Sequence, residues 1–536
     1  MAVLESRIST GSERFVEQRE AMLSLLENVR RLEGRVRALS SSKRASFRKK
    51  NKLLPRERVS LLLDHGSPWL ELSPLAGLGM HDDDGEKDVF GGGSIVGIGH
   101  VKGVRCVISA SDAAIKGGTV TPMGLKKSLR AQQIAMKSKL PIISLVESGG
   151  ANLNYQSEIF VEGGRNFYNQ SKLSAMGIPQ VTVVHGNSTA GGAYIPGLSD
   201  YVIMVKDQAL VFLAGPPLLY AATGEVATDE ELGGAQMHTS VSGVAEYLAE
   251  HDADAIRQAR ELVSRFGWEE FEEPLAFEEP RYAIDELCGV VPTDYRKPYD
   301  VREVIARIVD ASDFTEFKQN YGSLTICGHA SIMGHRCGIL GNNGPIDEQG
   351  ATKAAQFMQL CTQTKTPLVF LQNTTGYLVG TRPEQGGIVK HGAKMIQAVS
   401  NAPVPKITVQ IGASFGAGNY GMCGRAYEPD FLFSWPNHRI AVMGGEQAAT
   451  VLEIVTRQKM ERRGQQVDDG FIKGMRDFVI DKIEKESTAL YATARLWDDG
   501  IIDPRDTRRV LGMTLSICEG ARRRELQPNT FGVGRM

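Results

Sequence analysis

The chain of 536 residues has seven cysteines, Cys106, Cys288, Cys327, Cys337, Cys361, Cys423 and Cys518, but no two form a Cys-x-x-Cys pair and the number is odd. A zinc ribbon and a secreted disulfide framework are therefore not expected, and the thiols read as buried and reduced. No apolar run is long enough to span a bilayer. Neither sign of charge dominates: 61 Lys and Arg stand against 63 Asp and Glu, a net charge of -2. That balance speaks against a general nucleic-acid binder and obliges any anionic ligand to find a local basic patch. None of the ten histidines stands in His-Glu-x-x-His, so no bound catalytic metal is expected. The first residues lack the apolar stretch of a signal peptide. They carry Glu5, Glu13, Glu17 and Glu20, which do not suit an acid-poor transit peptide. A bacterial, cytoplasmic setting is the expectation.

The length is too great for one hydrophobic core, so two or more domains are expected. Apolar spacing predicts an amphipathic helix over 14–39. A basic cluster follows at Lys43, Arg44, Arg48, Lys49, Lys50 and Lys52, then a short helix with Pro55 near its start. An internal repeat dominates the rest. The segments that begin at Gly99 and Gly328 both read as strand, Gly-rich loop, helix, Pro, apolar strand and small-residue turn. Pro141 and Pro367 lie 226 positions apart, as do Gly150 and Gly376, and Gly192 and Gly418. Alternating strands and helices predict parallel α/β units. The stretch 278–300, rich in Pro and charge, reads as the junction, giving domains over 1–290 and 291–536.

Each copy carries a small-residue turn after an apolar strand: "NSTAGGAY" from Asn187 and "SFGAGNYG" from Ser414. There the first N–H groups of a helix have no internal partner and carry its positive dipole end. Two such groups can hold a developing oxyanion. The donors expected are Gly191 and Gly192 in the first copy, and the aligned Ala417 and Gly418 in the second. For either turn alone the plain alternative is tight packing of a helix on a sheet; duplication together with the upstream loops "VESGGA" and "QNTTGY" favours function.

Other patterns carry less. "GAGNYG" fits Gly-x-Gly-x-x-Gly, but 431–445 hold no Asp or Glu and the segment is not the first strand of its unit. "GNSTA" ends in Ala where a nucleophile elbow needs Gly, so Ser188 reads as a turn residue. His185 and His238 read as structural or hydrogen-bonding residues. What is left is two anion-holding turns without an evident protein nucleophile, metal or acid–base pair. Such a set fits a reaction in which two substrates each develop negative charge on oxygen.

At "KLLPRERVSLLLD", "SDAAIKGGT", "FLAGPPLLYAATGE", "LGGAQMHTSVSGVA", "GASFGAGNYGMCGRAYEPDF" and "MGGEQAA" the chain resembles the carboxyltransferase (β) subunits of biotin-dependent acyl-CoA carboxylases, over nearly its whole length. The resemblance implies two tandem crotonase-like α/β domains, often in a homohexamer, with each site between the N-domain of one chain and the C-domain of another. It implies that Gly191 and Gly192 hold a thioester oxygen and that Ala417 and Gly418 hold the ureido oxygen of biotin. Ser148, Gly149, Gly150 and Ala151 would line the acyl-CoA side, and Lys49 and Lys52 are candidates for the CoA phosphates. Thr375, Gly376, Tyr377 and Phe415 would line the biotin side. The chain has no Met-Lys-Met biotinylation motif and no ATP-grasp segment. A partner α subunit is therefore implied, which carries biotin as carboxybiotin and alone uses ATP and Mg.

The nearest branch resembles the 3-methylcrotonyl-CoA and geranyl-CoA carboxylases. In the methylcrotonyl branch the resemblance implies Phe-Gly-Arg before "NFYNQ"; here Gly163-Gly164-Arg165 stands. Loss of an aromatic ring would open the end of the acyl pocket, which favours geranyl-CoA. The alternatives are 3-methylcrotonyl-CoA, neutral drift at this position, a biotin-dependent decarboxylase subunit, a crotonase-type hydratase or isomerase, and a non-catalytic scaffold.

Overall fold

Two β-sheets organise the chain, one for each copy of the repeat. The structure is a computed structural model and describes residues 3–83, 89–268, 275–465 and 468–534. The N-terminal part holds helices α1 (Glu13–Ser42), α2 (Arg44–Lys49) and α3 (Pro55–Leu62). The first sheet holds β1 (Leu70–Leu72), β2 (Ser94–Val101), β3 (Val104–Ser111), β4 (Ile142–Ser148), β5 (Gln180–Thr189), β6 (Tyr201–Val205), β7 (Leu210–Phe212) and β8 (Tyr247–Ala249). Their order is β1-β2-β3-β4-β5-β6-β8, with β7 paired to β5. The second sheet holds β9 (Thr315–Glu316), β10 (Thr325–Ile332), β11 (His335–Asn342), β12 (Leu368–Thr374), β13 (Lys406–Phe415), β14 (Phe431–Ser434) and β15 (Arg439–Ala441), in the order β14-β13-β12-β11-β10-β9 with β15 on β13.

Each sheet opens with an antiparallel hairpin, β2–β3 or β10–β11, and continues in parallel. The parallel strands are apolar on both faces, as "VTVVH" in β5 shows, because helices cover both sides. In the first copy α4 (Pro122–Ser138) and α5 (Gln156–Ala175) pack together on one side, and α3 with the helix Asp252–Ser264 packs on the other. In the second copy Glu348–Gln363 and Ile388–Asn401 are the pair equivalent to α4 and α5. The repeat extends to the caps: Thr121 Oγ1 accepts from Gly124 N at 3.1 Å, and Asp347 Oδ1 accepts from Gly350 N at 2.6 Å. Separate buried cores follow, around Ile108, Ile143 and Val183 in one copy and around Leu340, Phe357 and Phe370 in the other.

The division of the chain differs from a single cut near residue 290. Residues 31–272, 494–496 and 517–536 form one compact unit, and 1–30, 273–493 and 497–516 form the other. The ends cause this. Ser6 Oγ donates to Glu303 Oε2 at 2.6 Å, tying the N-terminus to the second copy. Arg524 Nη1 donates to the Lys139 carbonyl at 2.9 Å, tying the C-terminus to the first. The stretch 278–300 is not a free linker either, since Leu287, Cys288, Val290 and Val291 are buried within the second unit. All seven cysteines are buried and form no disulfide. Among the described residues no helix is long and apolar enough to cross a membrane.

Candidate active site

Strand β5 ends at Thr189, and the chain reverses into the turn Ala190–Ala193 and the short helix Tyr194–Gly197. Ala190 makes the reversal at φ +51°, a left-handed conformation that costs a non-glycine residue free energy. Gly191 is exposed and Gly192 half-buried. Ser188 is fully buried, and its Oγ donates to the Gly192 carbonyl at 2.9 Å, as suits a turn residue and not a nucleophile. The loop after β4 packs against this turn. Gly150 has φ +87°, and a Cβ there would stand 3.6 Å from the Thr189 carbonyl. Gly150 N donates to Ser148 Oγ at 3.2 Å, and Ala151 bridges to Val120. Gly150 thus sets the loop against the strand end that leads into Gly191 and Gly192, and Ser148 pairs in register with Ser188.

A cavity of about 460 Å³ opens next to this loop, and Lys43, Lys50, Lys52, Glu147, Ser148 and Gly149 are among its walls. Lys49 is exposed on the last turn of α2 and is not among the lining residues. Lys52 lines the cavity, but its ammonium is committed to Glu147 Oε1 at 2.6 Å. Glu147 Oε2 also accepts from Arg58 Nη1 at 2.8 Å, and Arg58 Nε donates to Asp252 Oδ2 at 2.9 Å. Asp252 Oδ1 lies 2.9 Å from His185 Nδ1. Burial and the Arg58 charge push His185 down to about 4 against the pull of Asp252. Burial would raise Asp252, but its bond to His185, the charges of His185 and Arg58, and the Leu53 N–H bring its carboxyl to about 2. His238 is structural as well, with Nε2 2.6 Å from the Val211 carbonyl.

Gly163 lies inside α5 and not in a loop. It is half-buried, and a Cβ there would meet nothing nearer than Ile159 Cγ2 at 4.0 Å. Phe167, one helical turn further along the same face, brings its ring to 4.0 Å from where a Cβ on Gly191 would stand.

The second turn repeats the first. Strand β13 ends at Phe415, Gly416 reverses at φ +54°, and the helix Gly416–Gly421 begins. Ala190 and Gly416 are equivalent, 226 positions apart. Ala417 is exposed and Gly418 buried. A Cβ on Gly418 would stand 2.8 Å from Thr374 Cγ2 and 2.9 Å from Gly376 Cα, so the "QNTTGY" loop presses directly on the turn. Gly376 has φ +119° and donates through its N–H to Thr374 Oγ1 at 3.3 Å. A mainly apolar cavity of about 770 Å³ opens over Gly416, Ala417, Tyr420, Val442, Leu452 and Trp497. Of the four residues expected on this side, Gly376 touches the turn and Thr375 is exposed. Phe415 and Tyr377 instead pack inward: the Phe415 ring meets Tyr295 edge-on at 5.1 Å, and Tyr377 Oη donates to the Gly392 carbonyl at 3.5 Å.

The strand ends are matched in register. Ser148 stands opposite Ser188, and Thr374 opposite Ser414, each after a two-residue shift in register. Two equivalent turns, each braced by the preceding loop, the first with a polar cavity beside that loop and the second opening on an apolar one, suit two different ligands.

A model of the carboxyl transferase domain matches residues 46–533. The chain belongs to this family, as a carboxyltransferase β subunit of a biotin-dependent acyl-CoA carboxylase. The β subunit of Pseudomonas aeruginosa geranyl-CoA carboxylase superposes with a TM-score of 0.94 at 56% identity, over 100% of both chains. A probable biotin-dependent acyl-coenzyme A carboxylase β2 subunit of Mycobacterium tuberculosis is 53% identical over 90% of each chain. A probable mitochondrial methylcrotonoyl-CoA carboxylase β chain of Drosophila melanogaster is 48% identical over 100% of this chain and 95% of that one. The tandem crotonase-like fold is therefore established, and membership as a β subunit implies a biotin-carrying α partner.

Three features of the carboxyltransferase were not read from the sequence. The strained Ala190 looks like an ordinary small residue in a one-dimensional pattern. The Glu147–Arg58–Asp252–His185 chain joins residues far apart in sequence. A buried amide network beneath the second turn, described below, is equally non-local. Comparing the two copies position by position would have flagged the last, since Gln372 and Gln410 align with valines.

Proposed function

We propose that the chain moves CO2 from carboxybiotin to the γ-methyl carbon of a 3-methyl-2-enoyl-CoA, with geranyl-CoA as the favoured substrate. The Gly191 and Gly192 N–H groups hold the thioester oxygen, which gains negative charge when the γ-carbon is deprotonated through the conjugated double bond. The Ala417 and Gly418 N–H groups hold the ureido oxygen. Carboxybiotin, when bound, supplies CO2 and the base that takes the γ-proton. The 770 Å³ apolar cavity over Gly416 and Ala417 suits a bicyclic ring whose polar edge faces backbone donors. Lys43 and Lys50, which line the other cavity, are the cations for the CoA phosphates, while Lys52 shapes that wall through Glu147. A lost oxyanion donor typically costs about 3–4 kcal/mol of transition-state stabilisation.

The observation that carries the choice of substrate is Gly163. It sits on the α5 face that also presents Phe167 to the Gly191 turn, with no side chain crowding it. A benzyl group at this position would occupy volume that several methylenes can use, each worth about 0.8 kcal/mol when buried. The 56% identity to a geranyl-CoA carboxylase β subunit supports the same choice. The second reading, 3-methylcrotonyl-CoA, is supported by the name of the Drosophila relative. The test is to reconstitute the chain with a biotinylated α subunit and compare both substrates with and without Gly163→Phe. Turnover of geranyl-CoA, lost selectively in the Phe variant, is expected. A parent enzyme that uses only 3-methylcrotonyl-CoA would overturn the substrate choice and leave the carboxyltransferase assignment intact.

A further inference from the structure

A six-residue helix has no stability of its own, so its direction is set by what ties it down. The helix Gly416–Gly421 is tied by one side chain of β12. Gln372 is fully buried. Its Nε2 donates to the Met422 carbonyl at 2.6 Å, just past the end of the helix. Its Oε1 accepts from Ser414 Oγ at 2.6 Å and from Gln410 Nε2 at 3.1 Å. Ser414 Oγ accepts in turn from Asn419 Nδ2 at 2.7 Å, inside the helix, and Gln410 Oε1 accepts from Ser434 Oγ at 3.0 Å. Both ends of the short helix are thus referred to a single amide.

The first copy shows what the fold alone requires. Gln372, Gln410 and Asn419 align with Val146, Val184 and Ala193. Ser434, opposite Gln410 in register, corresponds to Met204, opposite Val184. Only the serine is kept, as Ser188. The same strand arrangement therefore forms over an apolar set. A buried polar network carries a desolvation cost and is worth having only where all its members are satisfied and one arrangement must be enforced. Here that arrangement is the orientation of the second turn.

We propose that Gln372 is a positioning residue for the biotin side: it fixes the helix Gly416–Gly421 so that the Ala417 and Gly418 N–H groups converge on one acceptor oxygen. This rests on the assignment of that turn to the ureido oxygen. The reconstituted holoenzyme is assayed in the reverse direction, with carboxylated acyl-CoA as donor and biocytin as acceptor, and KM is measured for each separately. Gln372→Leu is expected to raise the biocytin KM and lower kcat at least about tenfold, as misaligned donors do, with the acyl-CoA KM unchanged. Gln372→Glu keeps the acceptor for Ser414 and Gln410, loses the donor to Met422, and should fall between. Ser414→Ala, which changes the volume least, should show the same split in milder form even if Gln372→Leu does not fold. Unchanged biocytin KM in Ser414→Ala and in folded Gln372→Leu, or a rise of both KM values together, would overturn the inference. Ala417→Pro, which removes one donor at a helix position that tolerates proline, tests the underlying reading. If it changes acyl-CoA and not biocytin, the assignment of the turn fails. If it changes biocytin while the Gln372 and Ser414 variants do not, only the positioning role fails.

Discussion

Lys52 Nζ lies 2.6 Å from Glu147 Oε1, so a lysine on the wall of the basic cavity is neutralised by a carboxylate of the strand that carries the Ser148–Gly149 loop. The same carboxylate holds Arg58, which is 1% exposed. Removing it by Glu147→Gln leaves a buried guanidinium with half its counter-charge. Breaking a buried pair of this kind costs about 3 kcal/mol. A lower urea midpoint at unchanged slope is expected. Lys52→Ala should likewise act mainly on stability, whereas Lys50→Ala should raise the acyl-CoA KM several-fold and weaken its dependence on salt. Equal effects of the two lysine substitutions on KM would contradict this division.

Acid should loosen the 31–272 unit. Burial holds His185 at about 4, below its ordinary 6.5, so between these pH values the unfolded chain binds a proton that the folded chain refuses. The stability of its unit therefore falls as pH drops, by about 2 kcal/mol at pH 5. Asp252, at about 2 against an ordinary 3.8, adds a further loss from about pH 4 downward. In the other unit burial raises Asp498 to about 6, so its contribution rises as pH falls from 6 toward 4, but burial also holds His438 there at about 4, and the two contributions oppose each other. Hydrogen exchange at pH 7 and pH 5 should show the 31–272 unit opening more readily at the lower pH. His185→Asn, which keeps an N–H for Asp252, should remove most of that difference.

Ala190 and Gly416 occupy the same left-handed position with different side chains. Ala190→Gly should stabilise its unit by up to about 1 kcal/mol by releasing strain. Gly416→Ala should destabilise by about 1 kcal/mol or more, since its Cβ would also stand 3.1 Å from the Val442 carbonyl. At the neighbouring donors the asymmetry is larger. A Cβ on Gly192 meets only Ser188 Oγ at 3.7 Å, so Gly192→Ala should fold normally and lose activity only through the substrate it meets. Gly418→Ala puts a methyl 2.9 Å from backbone and must displace the "QNTTGY" loop, with a fall in melting temperature as well as in rate.

Duplication made much of this protein readable from its sequence. A spacing of 226 residues between matched Pro and Gly positions was enough to place two parallel α/β units and the strand-to-helix turns at Gly191–Gly192 and Ala417–Gly418, because apolar periodicity and glycine requirements are local properties of a chain. What the sequence left open depended on residues meeting across long separations. The exchange of chain ends between the units follows from Ser6 reaching Glu303 and Arg524 reaching Lys139. The withdrawal of Lys52 from the free cations follows from Glu147, 95 residues away. The inward packing of Phe415 and Tyr377 and the anchoring of a helix by Gln372 follow from which face of a strand each side chain takes in the assembled sheet. Hydrophobic pattern determines where strands and helices form, whereas which polar group finds which partner is decided only when the sheet and its helices enclose them, since a buried polar atom must be satisfied by whatever the tertiary fold brings within reach.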